Sequence, residues 1–178
     1  MASRFHKCIQ QTQALLLALC LGFVCLSACG SQQFDGRTYR HGDMAFGVGP
    51  PPAGWRRIEV SDALIAYRDE DRGATVAVNG RCHRDGEDVP LESLTQHLFI
   101  HFTERQVVEQ KRIEMDGREA MRTELLAKLD GVKRGFVVYV LKKDSCVYDF
   151  FYVSEPGLLK QGMHDFDKYV AGFRTIAH

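Results

Sequence analysis

The chain has 178 residues, with 23 basic and 23 acidic side chains, six cysteines and 45% hydrophobic residues. That length holds one domain with a real core and is short for two. The charges balance, no basic block occurs, and the aromatics are not interleaved with Lys and Arg, which argues against a nucleic-acid partner.

Arg4 and Lys7 form a short positive region, followed by the uncharged apolar run ALLLALCLGFVCL, Ala14 to Leu26. A spanning helix needs roughly 20 apolar residues. This shorter run gives way to polar SQQFDGRTYRHGD and reads as the core of a signal peptide. It closes on Leu26, Ser27, Ala28 and Cys29, with small residues directly before the cysteine. The arrangement resembles the bacterial lipobox. That resemblance implies removal of residues 1–28, a diacylglyceryl group on Cys29 and acylation of the new amino terminus. One acyl chain binds a bilayer only marginally, whereas two or three, at about 0.8 kcal/mol per buried methylene, hold a domain there. A plain signal peptide with an incidental cysteine is the alternative. Gly30 stands where an inner-membrane retention signal carries Asp, so in a two-membrane host the resemblance implies the outer membrane, with the domain facing the periplasm.

Cleavage leaves 150 residues with a net charge of about −2, since Arg4 and Lys7 leave with the leader. Cys8, Cys20 and Cys25 leave too, and with Cys29 lipidated only Cys82 and Cys146 remain. Two thiols in an oxidising envelope favour one disulfide, with buried free thiols as the alternative. Zinc, with His83 beside Cys82, matches no structural zinc spacing.

Residues 29–43 read as a flexible tether, polar and without periodicity, and residues 44–178 as a single domain. MAFGV, from Met44, is an expected short strand; GPPPAGW is a turn or polyproline segment ending on Trp55. RRIEV, ALIAYRD and ATVAVNGRC follow as strands, the last two separated by the polar cluster DEDRG. Leu91, Leu94, Leu98 and Phe102 then step by three and four, which predicts an amphipathic helix over 91–103 with Pro90 in its allowed first turn.

VVEQKRIEM, REAMRTELLAKL and KRGFVVYVLKK are joined by two Asp-Gly pairs, Asp116-Gly117 and Asp130-Gly131, and this turn chemistry predicts an antiparallel meander. REAMRTELLAKL favours helix on intrinsic propensity; the turns at both of its ends favour strand. In FVVYVL, Phe136, Val138 and Val140 face one way and Val137, Tyr139 and Leu141 the other, so the strand is expected in the middle of a sheet covered on both sides. CVYDFFYV behaves alike, with Asp149 the exception. EPGLLKQGMHDFDKYVAGF reads as a closing helix. The expected fold is α+β: an antiparallel sheet of about six to eight strands with helices on both faces, a three-layer α/β/α sandwich.

The opening MAFGVGPPPAGW and the closing FDKYVAGF resemble the PsbP-like proteins, over about residues 43–176. Extrinsic lumenal proteins of photosynthetic water oxidation and a nuclear Ran-binding protein share that fold. DGREA, from Asp116, and CVYDF, from Cys146, are similar to stretches in small bacterial lipoproteins. PsbP-like domains mostly act in binding or assembly, so the resemblance implies docking to another envelope protein, with no cofactor. The lipobox in place of a thylakoid transit sequence speaks against a photosystem role.

Reactive constellations are few. The chain lacks a Gly-rich phosphate loop, a Gly-x-Ser-x-Gly elbow and a Cys-x-x-Cys pair. His97 and His101, four apart on the expected helix, are the weak candidates for a metal pair, though Leu98 stands where zinc proteases carry Glu. Asp69, Glu70 and Asp71 read as a solvated hairpin tip, and Trp55 as a core anchor at the start of the sheet. An enzymatic reading needs His97 or His101 to meet Asp149 or Cys82 in one cleft. A transport reading, an accessory lipoprotein handling a lipid or other apolar ligand, needs a sizeable apolar cavity between sheet and helix.

Overall fold

In the computed structural model, which describes residues 33–82 and 89–176, three two-residue turns organise the chain. Asp116-Gly117 and Asp130-Gly131 have positive φ at both positions, 50° and 71°, then 50° and 79°. These are the turns whose twist matches antiparallel pairing. Asp144-Ser145 makes a third, at 52° and 58°, without a glycine to mark it. The turns link β7 (Thr103–Met115), β8 (Arg118–Leu129), β9 (Val132–Lys143) and β10 (Cys146–Ser154). Met115 pairs with Arg118, Leu129 with Val132 and Lys143 with Cys146 across them. The helix-prone REAMRTELLAKL is therefore strand β8, its local preference overridden by the turns at its ends.

Before the meander come β1 (Gln33–Phe34), β2 (Thr38–His41), β3 (Met44–Gly47), β4 (Trp55–Ile58), β5 (Ile65–Asp69), β6 (Ala74–Cys82) and α1 (Leu91–His97). After it come a 3₁₀ turn at Pro156–Leu158, α2 (Leu159–Ala171) and β11 (Arg174–Thr175). One sheet has seven strands in the order β4-β5-β6-β10-β9-β8-β7, and a second has four, β1-β2-β3-β11. The pairings are antiparallel throughout.

β9 divides two cores by its side-chain alternation. Phe136, Val138 and Val140 pack with Met121, Leu125, Val147 and, from α1, Leu94. Val137, Tyr139 and Leu141 pack with Trp55, Phe150 and Phe173 and, from α2, Leu159, Phe166 and Tyr169. Trp55 is the core anchor expected of it, 5.5 Å from the Tyr169 ring and 6.0 Å from that of Tyr67.

Three expectations change. The helix predicted over 91–103 ends at His97, and beyond it Ile100 donates to the His97 carbonyl and Phe102 to that of Phe99. Three-residue turns of this kind still satisfy the apolar step, setting the rings of Phe99 and Phe102 against Phe136 at 5.9 and 5.1 Å. Residues 33–41, read as tether, contain β1 and β2, and β2 runs into β3 through Gly42-Asp43. Tyr39, buried against Phe46 at 5.1 Å, supplies the apolar anchor that a four-residue polar strand did not advertise. Asp69, expected in solvent, is buried and accepts from the backbone N–H of Arg72 at 3.2 Å and from its guanidinium at 3.1 Å. Arg72 also reaches Asp165 of α2, at 3.3 Å, so the hairpin tip is tied to the helix.

Cys82 and Cys146 lie directly opposite in the β6–β10 register and are disulfide-bonded, 64 residues apart in sequence. Closing a loop of that length constrains the unfolded chain by about 4 kcal/mol in the entropic account. Reduction is expected to lower the unfolding free energy by about 2–4 kcal/mol, read from urea denaturation with and without reductant. Gly162, in the interior of α2, is explained by close approach: a Cβ there would overlap the hydroxyl of Tyr152. Gly162→Ala should therefore destabilise by about 1–3 kcal/mol despite the better helix propensity of alanine. A urea midpoint unchanged or raised would contradict this contact.

Candidate functional site

The β7–β8 hairpin end, the C-terminal half of α2 and β11 enclose a cleft of about 450 Å³. Its polar wall carries Glu114, Asp116, Tyr139, Asp167 and Arg174, and Met115 and Val170 supply apolar floor. Each is positioned by regular structure. Asp116 sits in the first meander turn, Tyr139 projects from β9, and Asp167 lies on α2.

Tyr139 is the hub. Its hydroxyl donates to Asp167 Oδ1 at 2.7 Å and accepts from Arg122 Nε at 3.0 Å. Arg122 faces Tyr139 across the β8–β9 ladder, with its guanidinium carbon 5.6 Å from the ring centroid. It reaches Asp167 at 3.3 Å and Glu109 at 3.2 Å. Its side chain is only 7% exposed, so burial alone would weaken its charge. The phenol and carboxylate outweigh that and hold the guanidinium charged. Burial, and then the Asp167 carboxylate, push the Tyr139 phenol well above its ordinary range, so it stays a neutral donor.

Asp116 makes the second cluster. One carboxylate oxygen accepts from Lys143 Nζ at 2.7 Å, from the Thr175 N–H at 2.8 Å and from the Thr175 hydroxyl at 2.9 Å. Burial raises the carboxyl, but these donors prevail and hold it below its ordinary value. The contact fastens β11 to the hairpin, and so places Arg174, whose guanidinium donates to the carbonyls of Ala171 and Phe173.

Two further clefts flank the long strands. One, of about 360 Å³ beside the disulfide, is lined by Arg81, Arg118, Lys142, Lys143 and Ser145. The other, of about 370 Å³ between α1 and the β7–β8 pair, has Phe99, Val107 and Leu125 on its walls, with Gln110 and Thr123.

The residues singled out in the sequence do not converge. Cys29 and His83 lie outside the described residues. Cys82 is spent in the disulfide with Cys146, and Asp149 is buried with its carboxylate 2.6 Å from Arg81. His97 is the last residue of α1 and His101 lies in the turn beyond it, both exposed, so the expected helical pair is not one. Among the described residues no three His, Cys, Asp or Glu side chains are placed to hold a metal. The Arg122–Tyr139–Asp167 cluster escaped the sequence reading; its signal was an arginine at an inward position of a buried strand, MRTELL.

An antiparallel α+β domain built on a four-strand meander is the class these observations define. Neither a protein-family model nor a curated protein matches the chain. Its fold is like that of solved PsbP-like proteins. It is similar to cyanobacterial PsbP (CyanoP) of Synechocystis sp. PCC 6803, at 15% identity and a TM-score of 0.54, over 85% of this chain and 99% of that one. It is also similar to LpqN of Mycobacterium tuberculosis, a protein involved in cell envelope biogenesis, at 16% identity and a TM-score of 0.56, over 79% and 90% of the two chains. A protein of Bacteroides thetaiotaomicron matches at 9% identity and a TM-score of 0.53, over 82% of this chain and half of that one.

The Asp116 cluster has a pH signature. A carboxyl held below its unfolded value stabilises fully above that value, about 3.9, and loses the contribution as pH falls through the folded one. Asp116→Asn should cost about 1–3 kcal/mol at neutral pH. The gap to the parent chain should narrow steadily below about pH 3.9. Urea unfolding at neutral and acid pH checks this; a gap independent of pH would contradict it.

Proposed function

We propose that this chain is a lipid-anchored module of the cell envelope that works by binding and assembly, without turnover. The observation that carries the reading is the PsbP-like fold, shared with an envelope-biogenesis protein, joined to a leader that ends on Leu26-Ser27-Ala28-Cys29. Acyl chains on Cys29 would hold the domain at a bilayer surface, and among the described residues no helix is long and apolar enough to cross a membrane. In this reading the domain is an α/β/α sandwich with α1 and α2 on opposite faces of the sheet, and Gly30 directs it to the outer membrane.

The cleft chemistry favours recognition. Tyr139, Arg122 and Asp167 satisfy one another, and Asp116 is saturated by Lys143 and Thr175. Groups so paired make a rigid wall for a partner. A second reading, carriage of an apolar ligand for an envelope transporter, draws on the cleft lined by Phe99, Val107 and Leu125. Its volume, about 370 Å³, is near the lower end for ligand pockets.

Metabolic labelling with palmitate is expected to mark the parent chain and to vanish in Cys29→Ser; label persisting in the variant overturns the anchor. Capture of the lipidated protein from native membranes should retain a stoichiometric envelope protein. Appreciable conversion of a small molecule by the delipidated domain would overturn the non-enzymatic reading.

A further inference from the structure

β1 starts four residues after the cysteine of the proposed anchor: Gly30, Ser31 and Gln32 alone separate Cys29 from Gln33. Fully extended, four residue steps span at most about 14 Å. β1 is itself fastened to the domain. Gln33 pairs with Arg40 and Phe34 with Tyr39. Asp35 accepts from the N–H groups of Arg37 and Thr38 at 2.8 and 2.7 Å, which closes the turn into β2. The Arg57 guanidinium stacks on the Phe34 ring, its carbon 5.2 Å from the centroid, and donates to the carbonyls of Ala66 and Leu64.

That leash is short beside the body it holds. A folded chain of roughly 145 residues has a radius of gyration of about 15 Å, or about 38 Å across as a sphere. With its acyl chains in a bilayer, Cys29 lies at the boundary between hydrocarbon and headgroups. The headgroup layer, about 5–7 Å per leaflet, takes up part of the reach, so β1 stays within about 9 Å of the bilayer surface. The domain cannot roll over. Phe34 shares a cleft of about 370 Å³ with Arg57 of β4 and with Val60, Ala63 and Leu64 of the β4–β5 loop. Val60 is 40% exposed there, and Arg40 is exposed directly opposite Gln33. β7, at the other edge of the seven-stranded sheet, is six strand spacings from β4, about 29 Å.

We infer that the β1 edge of the domain rests on the phospholipid bilayer, with Arg40 at the phosphates and Val60 in the headgroup layer, and that β7 points away from it. The inference rests on the anchor of the proposed function. The leash selects the occupant, because it leaves no room for a folded partner between β1 and the headgroups. Position then selects the contacts: Arg40 is a guanidinium within reach of lipid phosphate, and Val60 offers exposed apolar surface beside it.

Site-directed labelling of the lipidated chain tests this. With Cys29 acylated and Cys82 bonded to Cys146, an introduced cysteine is the sole free thiol of the mature protein. Val60→Cys and Arg40→Cys, with Val108→Cys on β7 as the distant control, are labelled with a fluorophore. Each is reconstituted in phosphatidylcholine vesicles carrying a nitroxide on a fraction of the headgroups. Val108 is 51% exposed against 40% for Val60, so a difference between them reports position and not apolar character. Quenching should be severalfold stronger at Val60 and Arg40 than at Val108. Equal quenching at all three positions, or stronger quenching at Val108, overturns the proposal. So does a Val60 label that neither aqueous iodide nor the nitroxide lipid reaches, which puts protein, such as a second copy, on that face. The mass of the amino-terminal peptide from the same sample separates the two readings. Acyl chains absent from Cys29 overturn the anchor and this inference together, whereas acyl chains present with uniform quenching overturn this inference alone.

Discussion

The double burial of β9 and β10 is the constraint on which the remaining structure depends. Both strands carry apolar side chains on either face, and residues such as Val137, Val138, Val140 and Leu141 are fully buried. A strand with only one covered face would leave half of these in water, at roughly 25 cal/mol per Å² of apolar surface. Cover must therefore come from both sides. Leu94, Phe99 and their neighbours supply it for one set of residues, and Leu159, Phe166, Tyr169 and Phe173 for the other. The central position of these strands in the sheet order follows, because edge strands could not be enclosed so completely.

That enclosure gives the polar residues their character. Arg122 and Tyr139 lie on the inward face of strands that have no room for hydrated groups, so each requires a fixed partner. Asp167 on α2 meets both, and the resulting ties hold helix and sheet in register where apolar packing alone is permissive. Asp116 does the same at the hairpin end, joining a turn to β11 through Lys143 and Thr175. A cleft wall that is rigid for structural reasons is also one that presents a constant surface.

Much of this architecture was legible in the residues, and the reason is local. Asp-Gly pairs dictate positive φ, so two of the three meander turns were visible; Asp144-Ser145 adopts the same geometry without glycine and was not. Alternation in FVVYVL exposed the two-sided burial directly, and compartment and count pointed to Cys82–Cys146. Missed features depend on side-chain contacts that hydrophobic periodicity and turn chemistry do not show. Tyr39 anchors a polar strand by packing on Phe46, and Asp69 is buried where Arg72, Tyr152 and α2 meet. His97 and His101 suggested a pair on the assumption that the helix continued, but the chain changes to three-residue turns between them, with the same apolar spacing.

The contrast between the sheet's centre and its β7 edge follows from the same physics. Interior strands can be apolar throughout because neighbours satisfy their backbone; the 13-residue edge strand β7 is mostly acids, bases and glutamines, with Val107 and Val108 exposed among them. Charges of this kind usually repel strand partners.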